Sequence, residues 1–160
     1  MKLVNSIFIN RSPGTVWVFL ENPEHMLLWN PNVKHVSPSC FAEPKQGYRY
    51  AITYQMGASA VASELQAEFV CFEPCSKLVI RQTGGLSYPQ DRIIEETYEL
   101  AERGGGTFLT QTIRVENSGI NIFWRLLIRI IQKWGKPTGK PYLETFREIV
   151  EKDMAKDSGR

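Results

Sequence analysis

Glu96 and the side chains that share its strand face are where this chain could move a proton. Residues 91–101 and 107–117 read as two strands joined across Arg103-Gly104-Gly105-Gly106, the signal of a hairpin. Matching apolar positions sets Leu100 opposite Leu109, Tyr98 opposite Gln111, Glu96 opposite Ile113 and Ile94 opposite Val115, all on one face. A carboxyl group among such neighbours loses its proton at a higher pH than usual and can serve as an acid or a base. A slip of one residue would exchange the faces, and Glu95 would then point inward in place of Glu96. No catalytic residue is fixed by this pattern; Glu96 is the one candidate.

A second strand face is suited to holding a molecule. Tyr48, Tyr50, Ile52, Tyr54 and Met56 alternate with Arg49, Ala51, Thr53 and Gln55, the pattern of a half-buried strand. Ser63, Leu65, Ala67, Phe69 and Cys71 then alternate with Glu64, Gln66 and Glu68. Ligand pockets are mostly apolar with a few placed polar groups. The candidate lining is therefore Tyr50, Ile52, Tyr54, Leu65, Phe69, Tyr98, Gln111 and Ile113, with Phe146 from the last helix. The alternative for each is plain core packing. The tyrosines bear on the choice, because inward hydroxyls need partners.

Other chemistries find little support. The chain has two histidines, His25 and His35, with no Cys or carboxylate at ligand spacing, so no metal site is expected. Cys40, Cys71 and Cys75 are an odd number without a CxxC pair and read as reduced, partly buried thiols. The sequence holds no GxSxG, HExxH or Walker-type loop, and no cofactor is expected. Gly104-Gly105-Gly106 joins two strands and opens no helix, so it makes no phosphate cradle.

Composition bounds the class. At 160 residues, 42% hydrophobic and 22% charged, the chain reads as one soluble globular domain, assigned to residues 1–155 with a polar tail over 156–160. A net charge of +2, with no dense Lys/Arg block, argues against nucleic acid as a partner. No run of apolar residues is long enough to span a membrane. Met1-Lys2-Leu3-Val4-Asn5 does not read as a signal peptide, so the expected location is the cytoplasm. Arg125, Arg129 and Lys133 lie at four-residue spacing beside Phe123, Trp124, Leu127 and Trp134. Such a stripe is either the solvated edge of a core helix or a surface for transient membrane contact.

The elements that must position these residues follow in order. Residues 2–10 read as a strand. Ser12 is a good N-cap with Pro13 at the first helical position, and Val16, Trp17 and Leu20 share one helix face. Asn22-Pro23 ends that helix and opens a second short one, which Pro31 stops. Residues 33–41 form a strand that Pro38 confines to an edge. Strands over 48–56, 61–71 and 77–83 precede the hairpin, and Thr83 to Pro89 is a Gly- and Pro-bearing loop suited to closing over something. Ile120 to Trp134 is an apolar helix, broken near Gly135-Lys136-Pro137. A last helix carries Leu143, Phe146, Ile149 and Val150 on one face.

The opening Ser12-Pro13-Gly14-Thr15-Val16-Trp17, then Asn22-Pro23-Glu24-His25, then Trp29-Asn30-Pro31-Asn32-Val33, resembles the START-related SRPBCC superfamily of polyketide cyclases and lipid carriers. The order of elements matches it over essentially the whole chain. The resemblance implies an α+β helix-grip fold. About seven antiparallel strands wrap a long C-terminal helix, with two short helices between strands one and two. It also implies an internal cavity, with Phe19, Trp29, the 84–89 loop and the helix near Gly135 around its opening.

Three functions are then in view. The first is binding of a small hydrophobic or lipid-like molecule between the sheet and the C-terminal helix. The second is a polyketide cyclase/dehydrase-like enzyme, with Glu96, Tyr54, Tyr98 and His35 as proton carriers. The third is a protein-interaction or co-chaperone-like module, which would show a filled core and an exposed apolar patch.

Overall fold

The computed structural model describes residues 2–38, 43–55, 62–84, 93–116 and 142–153. The expected basic stripe, the Ile120–Trp134 helix, the Gly135 kink, Met56, Cys40, the tip of the 84–89 loop and the 156–160 tail lie outside the described residues.

Strand β1 (Lys2–Ile9) leads into helix α1 (Pro13–Glu21). Ser12 Oγ accepts the Thr15 backbone N–H at 3.4 Å, and Pro13 occupies the first turn, where its lack of an N–H is harmless. Asn22 Oδ1 accepts from the Glu24 backbone N–H at 3.0 Å and opens a 3-10 turn, Pro23–His25, which runs into helix α2 (Met26–Trp29). Asn30 Oδ1 accepts the Asn32 N–H at 3.1 Å and turns the chain toward β2 (Val33–Pro38).

Five more strands follow: β3 (Arg49–Tyr54), β4 (Ser63–Glu73), β5 (Lys77–Gly84), β6 (Ile93–Arg103) and β7 (Gly106–Glu116). They join β1 and β2 in one seven-stranded antiparallel sheet of order β1-β7-β6-β5-β4-β3-β2. Pro38 lies on β2, an edge strand, where its missing donor costs no ladder bond. The strand containing Tyr50 is shorter than its alternation predicts, because Tyr48 precedes β3. Even so, Tyr48 is buried, and its backbone N–H and C=O bond Lys45 O and Phe69 N at 3.0 Å.

The β6–β7 turn needs only Gly104 and Gly105, at φ +56° and +80°, between paired Arg103 and Gly106. Two successive positive φ values match the twist of a two-residue hairpin. Gly106 has a different reason to be glycine. A Cβ there would lie 2.6 Å from the Ile9 carbonyl oxygen and 2.5 Å from the Phe8 ring. The ring can turn, but the β1 backbone is held by pairing to β7. Gly106→Ala is expected to cost about 1–3 kcal/mol through overpacking. Urea denaturation checks this, and wild-type stability in the variant would refute the account.

Helix α3 (Tyr142–Asp153) places Leu143, Phe146 and Val150 in the core, with Ile149 packed against it. This is the helix face expected from spacing. Phe146 is fully buried and meets Trp29 edge-on at 5.0 Å and Phe19 edge-on at 6.4 Å. Phe19 and Trp29 are thus core residues in this structure, where the resemblance had set them around an opening. At the other end of α3, Glu151 Oε1 accepts the Asn10 N–H at 2.9 Å, and its carbonyl accepts from Arg11 Nη2. Both contacts tie the helix to the β1–α1 corner.

Candidate functional site

The pairing of β6 settles which glutamate points inward. Glu96 is opposite Ile113 on β7 and Ile80 on β5, and Tyr98 is opposite Gln111 and Leu78. Leu100 pairs with Leu109 and Ile94 with Val115. This is the register predicted by matching apolar positions. Glu95 falls on the outer face, where its carboxylate lies 3.5 Å from Arg81 Nη2. Arg49–Glu68 and Lys77–Glu99 are further outer-face ion pairs.

The inner face is apolar around one polar cluster. Tyr98 Oη donates to Glu96 Oε2 at 2.8 Å, and Gln111 Nε2 donates to Tyr98 Oη at 3.2 Å. The side-chain amides of Gln82 and Gln111 also hydrogen-bond the Glu96 carboxylate. Tyr98, Gln82 and Gln111 are all buried, and Glu96 is half-buried. Burial raises the Glu96 pKa above the usual carboxylate value. Hydrogen bonds from Tyr98, Gln82 and Gln111 stabilise the ionised form and offset part of that rise.

Tyr50 faces the same side from β3. Its row across the sheet runs through Ala67 on β4 to Gln82 on β5, so a single methyl group stands between the phenol-bearing residue and the cluster. Tyr50 is fully buried, and its hydroxyl has no hydrogen-bond partner among the described residues. Burial, then the negative charge of Glu96, then Tyr48, push its pKa well up. The phenol therefore stays neutral and keeps its proton available to donate.

The remaining candidates fall into two groups. Ile52, Leu65, Phe69 and Phe146 are buried in the core, and Ile113 is half-buried opposite Glu96. Tyr54 is drawn elsewhere: its hydroxyl accepts from Asn32 Nδ2 at 3.2 Å at the α2–β2 corner. His35 lies exposed on β2 and His25 Nδ1 bonds the Val18 carbonyl at 2.8 Å. Among the described residues, no group of His, Cys, Asp and Glu could hold a metal ion, and no helix is long and apolar enough to cross a membrane.

Gln82 is the member that sequence reasoning missed. Its signal was present in Leu78, Ile80 and Gln82, which alternate on one strand face. A polar residue continuing an apolar alternation marks a buried side chain that must be satisfied.

A family model described as polyketide cyclase / dehydrase and lipid transport matches residues 1–156. No curated protein matches the chain. Solved structures with the same fold include protein NE0264 from Nitrosomonas europaea, 18% identical with a TM-score of 0.67, covering 97% of each chain. Protein CV1439 from Chromobacterium violaceum is 14% identical with a TM-score of 0.65, over 94% of this chain and 96% of that one. Ara h 8.0201 is 8% identical with a TM-score of 0.65, over 94% of this chain and 97% of its own. At these identities the likeness is one of fold.

Proposed function

The chain belongs to the polyketide cyclase / dehydrase and lipid transport family, within the START-related SRPBCC superfamily of helix-grip folds, and from that membership we propose that it binds a small hydrophobic or lipid-like molecule between its sheet and its C-terminal helix. The observation that carries this reading is the cluster of half-buried Glu96 with buried Tyr98, Gln82 and Gln111 on an otherwise apolar sheet face. Desolvating a carboxylate is costly, and ionisable groups perturbed by burial cluster at functional sites.

Native mass spectrometry of gently purified protein, with extraction of whatever is bound, tests it. An apolar molecule is expected on the wild type and should be lost from Ala67→Phe, in which a ring fills the position between Tyr50 and Gln82. The reading fails if the wild type carries nothing and also takes up no N-phenyl-1-naphthylamine, a neutral fluorescent probe of apolar sites.

A second reading, a cyclase- or dehydrase-like enzyme, is favoured by the raised Glu96 pKa beside a neutral Tyr50 phenol. Such a carboxyl can exchange a proton nearer neutral pH, and such a phenol can donate to a developing oxyanion.

A further inference from the structure

We propose that the molecule held on the inner face carries a hydroxyl group, and that Tyr50 and Glu96 grip that hydroxyl from two sides. This rests on the binding reading above and adds to it the chemical class of the ligand's polar end.

Tyr50 is the first half of the argument. Its side chain has no exposed surface, and its hydroxyl has no hydrogen-bond partner among the described residues. Buried phenols in cores nearly always find a partner. The Tyr50 phenol is a donor in need of an acceptor, on the face that carries the polar cluster. Glu96 is the second half. Its carboxylate takes bonds from Tyr98, Gln82 and Gln111, whereas a carboxylate has about four lone-pair positions. Counting partners among the described residues, one acceptor position is left. Gln82, which bonds Glu96, is joined to Tyr50 along a single cross-strand row with only the Ala67 methyl between them.

A donor on β3 and an acceptor on β6, both on the inner sheet face, are matched by a group that accepts and donates at one atom. A hydroxyl does this: its oxygen takes the Tyr50 proton and its own proton goes to Glu96. An ether or ketone satisfies Tyr50 alone, and an ammonium satisfies Glu96 alone. A ligand carboxylate would set a second negative charge beside Glu96.

The test uses size-matched pairs, 2-naphthol with 2-methylnaphthalene and 1-decanol with undecane, each displacing N-phenyl-1-naphthylamine. Wild-type protein is expected to prefer the hydroxyl member by about 10–100-fold, because a site built to bond a hydroxyl is left with unmet groups by its analogue. Tyr50→Phe should remove most of that preference, weakening the hydroxyl member of each pair far more than the hydrocarbon member. Glu96→Gln should lower it too, since the amide replaces one acceptor oxygen with a donor. Equal affinities within each pair for the wild type, or a preference that survives in Tyr50→Phe, would overturn the proposal and leave hydrophobic binding standing. Failure of the wild type to take up the probe or any of the four compounds would overturn both.

Discussion

Trp29→Ala is expected to lower stability by about 3–5 kcal/mol, the range for removing a large buried aromatic side chain. That is a sizeable share of the roughly 5–15 kcal/mol that holds an ordinary domain folded. Trp29 is only 1% exposed, its indole Nε1 donates to the Phe19 carbonyl at 3.4 Å, and its ring meets Phe146 edge-on at 5.0 Å. Helix α2 is four residues long, too short to persist without tertiary contacts. The indole is therefore the anchor of α2 and one of the contacts that hold α3 against the rest of the core. Urea denaturation followed by far-UV circular dichroism gives the loss directly. Leu28→Ala is the control: that side chain is 57% exposed and should change little. A loss of under about 1 kcal/mol for Trp29→Ala would mean that the core repacks around the gap, and that α3 is held chiefly elsewhere.

The same residues show what could be read before any coordinates. Ser12-Pro13, Asn22-Pro23 and Trp29-Asn30-Pro31 are local devices, and each acts where its side chain and ring constraints dictate. The β6–β7 register was legible because Leu100, Ile94, Leu109 and Val115 occupy matching alternate positions around a turn of fixed length. Glu96 inherited its inward direction from them. Tyr50 and Tyr54 were not separable in this way. They share one alternation, but Asn32 at the α2–β2 corner takes the Tyr54 hydroxyl, and a contact across 22 positions leaves no trace in spacing. Nor could sequence show that the Tyr50 hydroxyl lacks a partner among the described residues, since that depends on every group the fold brings near it. The importance of Ala67 is of the same kind. A small residue in a strand is ordinary until the rows on either side place Tyr50 and Gln82 at its flanks.

Glu96 makes stability fall as pH rises, and Glu96→Gln should abolish that contribution. Burial disfavours the ionised carboxylate, so the folded chain holds this proton to a higher pH than the unfolded chain does. Below the usual glutamate range both states are protonated, and the contribution of Glu96 is fully present. Above that range the unfolded chain releases its proton first. Folding then takes up a proton, and stability declines until the folded-state pKa is passed, after which it levels. Within that window one group contributes at most about 1.4 kcal/mol per pH unit. The groups facing Glu96 do not reverse the sign: Tyr98, Gln82 and Gln111 reduce the rise without cancelling it, and the Tyr50 phenol stays neutral. Glutamine keeps the shape of the side chain and an acceptor for the Tyr98 hydroxyl but offers the Gln82 and Gln111 amides a donor in place of an oxygen; that cost does not vary with pH, so the charge is read from how the gap between the two proteins changes with pH. Denaturant titrations of both proteins from pH 4 to pH 8 should show Glu96→Gln gaining on the wild type as pH rises. Parallel curves would mean that the carboxylate ionises in the fold as easily as in the unfolded chain. That result would remove the physical basis for treating Glu96 as an acid or base near neutral pH. It would leave its acceptor role, which requires only a lone pair directed at the ligand.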